Sequence, residues 1–333
     1  MTIKQNTIKK FLVDNILYAV LLAMFVVLIL ISPSFLSLVV IRDILMQSST
    51  RLIIALGCMF ILIVAGADLS GGRVVGLAAV IAGSLAQAAT YYNKFFPSIP
   101  ELPVIIPVLI AVAAGLLAGF LNGIIVAKLK VNPFIATMGI ALAVYGFNCL
   151  YFNLPPNNSQ PLGGFTKSFS SLGGGSTFGI PNIIIIAVIC AVIVYIFQKK
   201  TCLGTELFAV GGNIEASRVS GINVSLLLIL AYSAAGALYG LGGVLEAART
   251  GSATSNYGAG YEMDAIASCV VGGCSLSGGL GSVPGVVVGV LIFNVISYGL
   301  TFIGISSYWQ NVFKGVIIIA AVALDVRKNR KAD

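Results

Sequence analysis

The 333-residue chain has no histidine. Its absence removes the commonest metal ligand and the one side chain that titrates unperturbed near neutral pH. A Ser-His-Asp triad is excluded with it. Six cysteines (58, 149, 190, 202, 269 and 274) form no CxxC pair, and five lie in apolar stretches. Buried cysteine acts as a small hydrophobe, so neither a disulfide framework nor a metal site is expected. No GxxxxGK[ST] string is present, so the chain lacks the usual phosphate cradle. Charge is scarce as well: 9% of residues, against about 25% in soluble domains. That scarcity excludes an ordinary soluble enzyme. Lys and Arg outnumber Asp and Glu by 19 to 11, but the bases sit in loops and tails, where they set membrane orientation rather than bind nucleic acid.

What fills the chain is hydrocarbon, 58% of residues. A spanning helix needs about 20 mostly apolar residues. Ten segments qualify: 15–32, 44–66, 72–92, 103–127, 132–152, 182–198, 224–246, 263–275, 284–304 and 308–325. The eighth is short. The second has room to begin earlier, since "SLVVIRDILMQSST" before it has the character of an interfacial helix. The basic head and long apolar body of the N-terminus read as an uncleaved first helix, because no A-x-A-like site follows.

Placing the N-terminus inside puts Lys4, Lys9, Lys10, Lys128, Lys130, Lys199, Lys200, Arg218, Arg327, Lys328, Arg330 and Lys331 on the inner side. Only Lys94, Lys167 and Arg249 fall outside. This bias predicts an all-α polytopic membrane protein. It has about ten transmembrane helices, a single membrane domain over 1–333, halves of about 1–152 and 182–333, and both termini cytoplasmic. The outer loop 153–181 is rich in Gly, Ser, Asn and Pro and is expected to be irregular. The inner loop 199–223 contains "NIEASRVS", a short helix with Asn213 as N-cap, Glu215 in the first turn and Arg218 in the last.

"VAGADLSGG" (64–72) aligns with "VGGCSLSGG" (271–279) at a constant offset. Inverted repeats are common in transporters, but these copies fall at unequal places in the two halves. Gly115, Gly119 and Gly123 lie four apart, a spacing that lets helices approach closely in lipid. Asp68 and Arg73 interrupt apolar surroundings. Counting from Arg51, they are expected near the cytoplasmic boundary, off one helix face, at a Gly-Ser break where a new helix begins. Glu246, Glu262 and Asp264, with Arg249, flank the outer loop "EAARTGSATSNYGAGYEMDA" and are expected to be solvated and to face a partner. Asn122, Asn148, Asn294, Tyr145 and Tyr298 are polar or aromatic groups suited to a sugar cavity.

Three strings carry a resemblance: "GADLSGG", "LNGIIVAKLKVNPFIATMG" and "GTELFAVGGNIEASRVSGI". With them the chain resembles the membrane subunit of bacterial ABC sugar importers, in the branch carrying ribose, xylose and galactose. "EAARTGSAT", "YEMDAIASCVVGG" and "YWQNVFKGVIIIAAVALD" are most similar to its galactose/methyl galactoside members. The likeness covers nearly the whole chain and is weakest at 153–181.

The resemblance implies a permease of the inner membrane, working as two copies of the chain. An ATPase subunit with nucleotide-binding domains, which uses ATP and Mg, would dock inside. A sugar-binding protein would dock outside. No cofactor is expected on this chain itself. The loop 199–223 takes the family's coupling position, with Gly204, Gly211, Gly212, Asn213, Glu215, Arg218 and Gly221 as coupling residues. Asp68, Ser70, Arg73, Asn122, Asn148, Ser277, Asn294 and Tyr298 are expected on the pathway or its gate. Glu246, Arg249, Glu262 and Asp264 are expected at the docking surface. The alternatives are ribose, xylose, glucose or nucleosides as cargo, a secondary transporter coupled through Asp68, or a channel.

Overall fold

A computed structural model of the chain describes residues 16–306, 308–316 and 319. The terminal bases Lys4, Lys9, Lys10, Arg327, Lys328, Arg330 and Lys331, and the far end of the tenth segment, lie outside these residues. The fold is helical: α1 (Ile16–Ile31), α2 (Leu38–Ile63), α3 (Gly71–Leu85), α4 (Ile105–Ala127), α5 (Pro133–Phe152), α6 (Lys167–Gly174), α7 (Asn182–Lys200), α8 (Cys202–Gly212), α9 (Ile214–Val219), α10 (Val224–Thr250), α11 (Tyr261–Val271) and α12 (Val283–Phe302). A further helical stretch covers 308–316. Each of the ten apolar segments contains a helix, and six of these helices are long and apolar enough to cross a bilayer. The chain is a multi-pass membrane protein.

Three details differ from the sequence reading. The supposed interfacial segment is the first half of α2, which runs unbroken for 26 residues. Ser37 starts it, its side chain accepting the Val40 N–H, a cap worth about 1 kcal/mol. The outer loop is not wholly irregular: it carries α6 and a two-stranded hairpin, Ser176–Thr177 with Ile180–Pro181. The inner loop holds two helices rather than one, α8 and α9. Thr201 and Asn213 cap them, and Asn223 caps α10. The expected Asn213 cap and the placing of Glu215 and Arg218 at opposite ends of α9 are observed.

The core is built on α10. Its Tyr232, Gly236 and Gly240 meet Gly115 and Gly119 of α4 so closely that a Cβ on Gly119 would lie 2.1 Å from the Tyr232 carbonyl oxygen. Glycine at these positions brings two backbones into contact, which is how helices gain van der Waals energy in lipid. On its other sides α10 packs Tyr239 against Gly57 of α2, and Gly243 against Val75 of α3. α2 is the most buried long helix, while α5 and α7 turn most of their surface outward.

Two helix pairs, α2 with α3 and α10 with α11, run in opposite directions. α10 runs antiparallel to α2: Gly57 meets Tyr239, and Ile54 meets Gly242. Each long helix is followed by a non-helical run, 64–70 or 251–260, and then by a short helix, α3 or α11. α3 climbs beside α10, with Gly71 at Tyr239 and Val75 at Gly243. α11 follows α2 in its own direction, with Asp264 at Arg51 and Cys269 at Ala55. The short helices are therefore antiparallel, and their N-termini meet, Gly72 against Gly258 and Glu262. In this symmetry the counterpart of 64–70 is 251–260. The copy at 271–279 instead packs against the first from the same side: the Gly279 N–H donates to the Ile63 carbonyl at 2.9 Å.

Candidate functional site

The break at 64–70 turns the chain back on itself. The Gly66 N–H bonds the Ile61 carbonyl, and Tyr232 donates its hydroxyl to the Ala67 carbonyl at 3.1 Å. Leu69 donates its N–H to the Thr137 hydroxyl at 3.1 Å. Asp68 is buried, 3% exposed. Its Oδ1 accepts from the Ser70 N–H at 2.7 Å and the Ser70 hydroxyl at 2.6 Å, and Asn122 Nδ2 donates to Ser70 Oγ at 2.8 Å. Asn122 Oδ1 has no partner among the described residues.

This corrects the expected depth of Asp68. α10 is about 40 Å long, and Asp68 lies level with Tyr232 and Tyr239, its ninth and sixteenth residues. Counting residues from Arg51 failed because α2 passes the break and the chain then climbs back. Asp68 and Arg73 do not meet: no ion pair joins them among the described residues.

Arg73 points to a different cluster. Its guanidinium lies over the Tyr145 ring, 4.2 Å from the centroid, and Nη1 reaches Asn256 Oδ1 at 3.5 Å. Asn148 Nδ2 donates to the Ser255 carbonyl at 3.2 Å. The run 251–260 that supplies Ser255 and Asn256 descends along α3, with Ala253 at Gly83, Tyr257 at Gly76 and Gly258 at Gly72. Those contacts span about 16 Å of helix axis. Irregular backbone at such depth is tolerated where protein or water satisfies it.

The docking residues need the same correction. Glu246 is 4% exposed and bonded to Arg249 at 2.9 Å and to the Tyr261 hydroxyl at 3.0 Å. Asp264 sits between Arg51 at 3.6 Å and Lys314 at 3.0 Å, and Arg51 covers the Tyr261 ring at 3.3 Å. Glu262 is partly buried against Gly72. Acids flanking a loop suit a solvated, partner-facing surface, but a re-entrant segment carries the same residues inward. Arg51, Lys314, Tyr261 and Asn256 were missed as site residues. The signal available was Arg51, a base in the middle of a long apolar helix.

The remaining expected residues are dispersed. Asn294 is buried and donates to the Val290 carbonyl of its own helix. Tyr298 stacks with Phe302 and reaches Asp43 at 3.3 Å, a peripheral packing role. Ser277 is exposed in the second break, its N–H on Ser275 Oγ. In the inner loop, a Cβ on Gly204 would lie 2.3 Å from the Phe197 carbonyl, and one on Gly211 would strike the Ile63 carbonyl oxygen. The loop thus touches the end of α2 at Ile63, just before the 64–70 break, and, through Gly278 and Gly279, the second break. Gly212 faces open space, and Gly221 takes φ +83°. Glu215 and Arg218 form an exposed pair at 2.7 Å. No cluster of His, Cys, Asp or Glu that could hold a metal occurs among the described residues.

A family described as branched-chain amino acid transport system / permease component matches residues 40–322. The chain belongs to this permease family. Among related permeases, the galactose/methyl galactoside import permease protein MglC of Haemophilus influenzae is 47% identical over 99% of this chain and 98% of its own length. Its namesake in Escherichia coli is 46% identical over 96% and 95%. The ribose import permease protein RbsC of E. coli is 35% identical over 96% of each. No solved structure matches the chain.

Proposed function

We propose that the chain is the permease subunit of an ATP-driven importer for galactose and methyl galactoside, in the inner membrane. The observation that carries this is near-full-length identity of 46–47% to galactose/methyl galactoside import permeases, against 35% to a ribose permease. The chain crosses the membrane ten times with both termini inside. Two copies form the pathway. A separate ATPase subunit, using ATP and Mg, docks on α8 and α9, and an extracytoplasmic sugar-binding protein docks on the opposite side.

The mechanism follows from the packing. ATP binding by the partner pushes the inner loop as a rigid lever. Gly211 rests directly on the Ile63 carbonyl, with no side chain to absorb the push. The movement passes to the two breaks, whose irregular backbone can reorient without unwinding a long helix. Asp68 secures the first break through Ser70 and Asn122. With both Ser70 donors on one Asp68 oxygen, this acid is better suited to holding backbone than to carrying a coupling ion.

Competition tests the cargo. In cells carrying this chain with its ATPase and binding-protein subunits, a hundredfold excess of methyl galactoside is expected to abolish uptake of labelled galactose. The same excess of ribose leaves more than half. Equal inhibition by ribose would overturn the galactose assignment.

A further inference from the structure

The mid-membrane cluster around Arg73 has the chemistry of a sugar contact. Arg73 is partly exposed and lies on the first turn of α3, level with the middle of α10. A charge within a membrane-spanning segment is costly unless protein or water receives it. Arg73 has no ion pair within 4 Å among the described residues; it lies over the Tyr145 face, makes one long hydrogen bond to Asn256, and has the Glu262 carboxylate as the nearby counter-charge. Around it the neighbouring helix α5 is apolar, with Leu142, Phe147 and Leu150 exposed. A partly exposed guanidinium beside such a surface marks the place where the molecule meets something other than lipid.

The surrounding groups carry unused hydrogen-bonding capacity. Asn148 is 1% exposed, held by Ser255, and its Oδ1 has no partner among the described residues. Glu262 Oε2, where the N-termini of α3 and α11 meet, has none either. Four elements thus converge: α3 gives a planar fork of donors, α5 an aromatic ring and an amide, 251–260 a second amide, and α11 a carboxylate. A guanidinium offers several N–H donors that hydroxyl oxygens can accept, a carboxylate accepts from a hydroxyl, and sites for small polar molecules combine a few such groups with an apolar wall.

We infer that Arg73, Tyr145, Asn148, Asn256 and Glu262 form a transit site for a hexose at the meeting point of the two short helices. The inference rests on the importer reading above. The cluster discriminates by hydroxyl pattern inside the membrane, after the binding protein has released its sugar. Its capacity is weak by design of the site, since one fork and one carboxylate hold a ligand that must move on.

The test is uptake by the complete importer in proteoliposomes, with galactose and its monodeoxy analogues as probes. Arg73→Lys keeps the charge and loses the fork; Glu262→Gln keeps the shape and loses the carboxylate. Each is expected to lower galactose uptake at least tenfold. Uptake of at least one monodeoxy analogue is expected to fall less than threefold, so the preference for galactose over that analogue collapses. A uniform loss for every sugar would show a purely structural role and overturn the inference, as would no loss at all. Wild-type importer that moves no galactose would sink the parent reading, and this one with it.

Discussion

Asp264 shows how one residue can decide the local energetics. Its carboxylate lies within 3.6 Å of Arg51 and 3.0 Å of Lys314. Asp264→Ala leaves Lys314 without its carboxylate and Arg51 with only the Glu246 charge near it, at partly buried positions where an unpaired charge is costly. Lys314→Ala leaves Asp264 still paired with Arg51. Thermal unfolding in detergent should therefore show the larger drop in melting temperature for Asp264→Ala; equal drops would contradict the bridging geometry. Asn213→Ala removes the cap of α9 and should cost about 1 kcal/mol of local stability, seen as faster amide exchange confined to 214–219. Unchanged exchange there would contradict the cap.

The individual acids were visible in the sequence, but their partners were not. Asp264 and Arg51 are far apart along the chain, and nothing in composition reveals that 251–260 folds inward. The Asn213 cap was legible because a cap is local: one side chain and the next turn.

At the scale of elements, glycine placement carries the packing. Gly119 has no room for a side chain against Tyr232, whereas Gly139 faces open space. Gly119→Leu is expected to abolish stable insertion, while Gly139→Leu accumulates to at least half the wild-type level, as read by membrane-fraction yield. Similar yields would contradict the α4–α10 contact. Gly211→Ala drives a methyl into the Ile63 carbonyl and is expected to lower sugar uptake at least tenfold in protein that still inserts. Normal uptake would contradict the lever. The four-residue glycine spacing on α4 was readable because periodicity maps directly onto a helix face. The Gly211 contact was not, since it joins an inner loop to a break about 150 residues away.

For the molecule as a whole, the multi-pass helical character was legible because length and hydropathy fix what a bilayer accepts. The opposed course of α2–α3 and α10–α11 was not. The visible repeat, 64–72 with 271–279, marks two breaks that pack together. The symmetric counterpart of 64–70 is 251–260, which shares its role of returning chain to mid-membrane without sharing its sequence. This arrangement also bears on the charges: Asp68 lies in one re-entrant run, and Arg73 and Glu262 lie where the short helices begin beside the two runs.

The central claim is that ATP spent by a partner, not an ion gradient, moves the sugar through this chain. The most direct measurement is accumulation of labelled galactose in proteoliposomes holding the chain, its ATPase subunit and the binding protein, with ATP held constant and a protonophore added. The account predicts undiminished accumulation with the protonophore and none when the ATPase subunit is left out. Accumulation by the chain alone, collapsing with the protonophore, would contradict it.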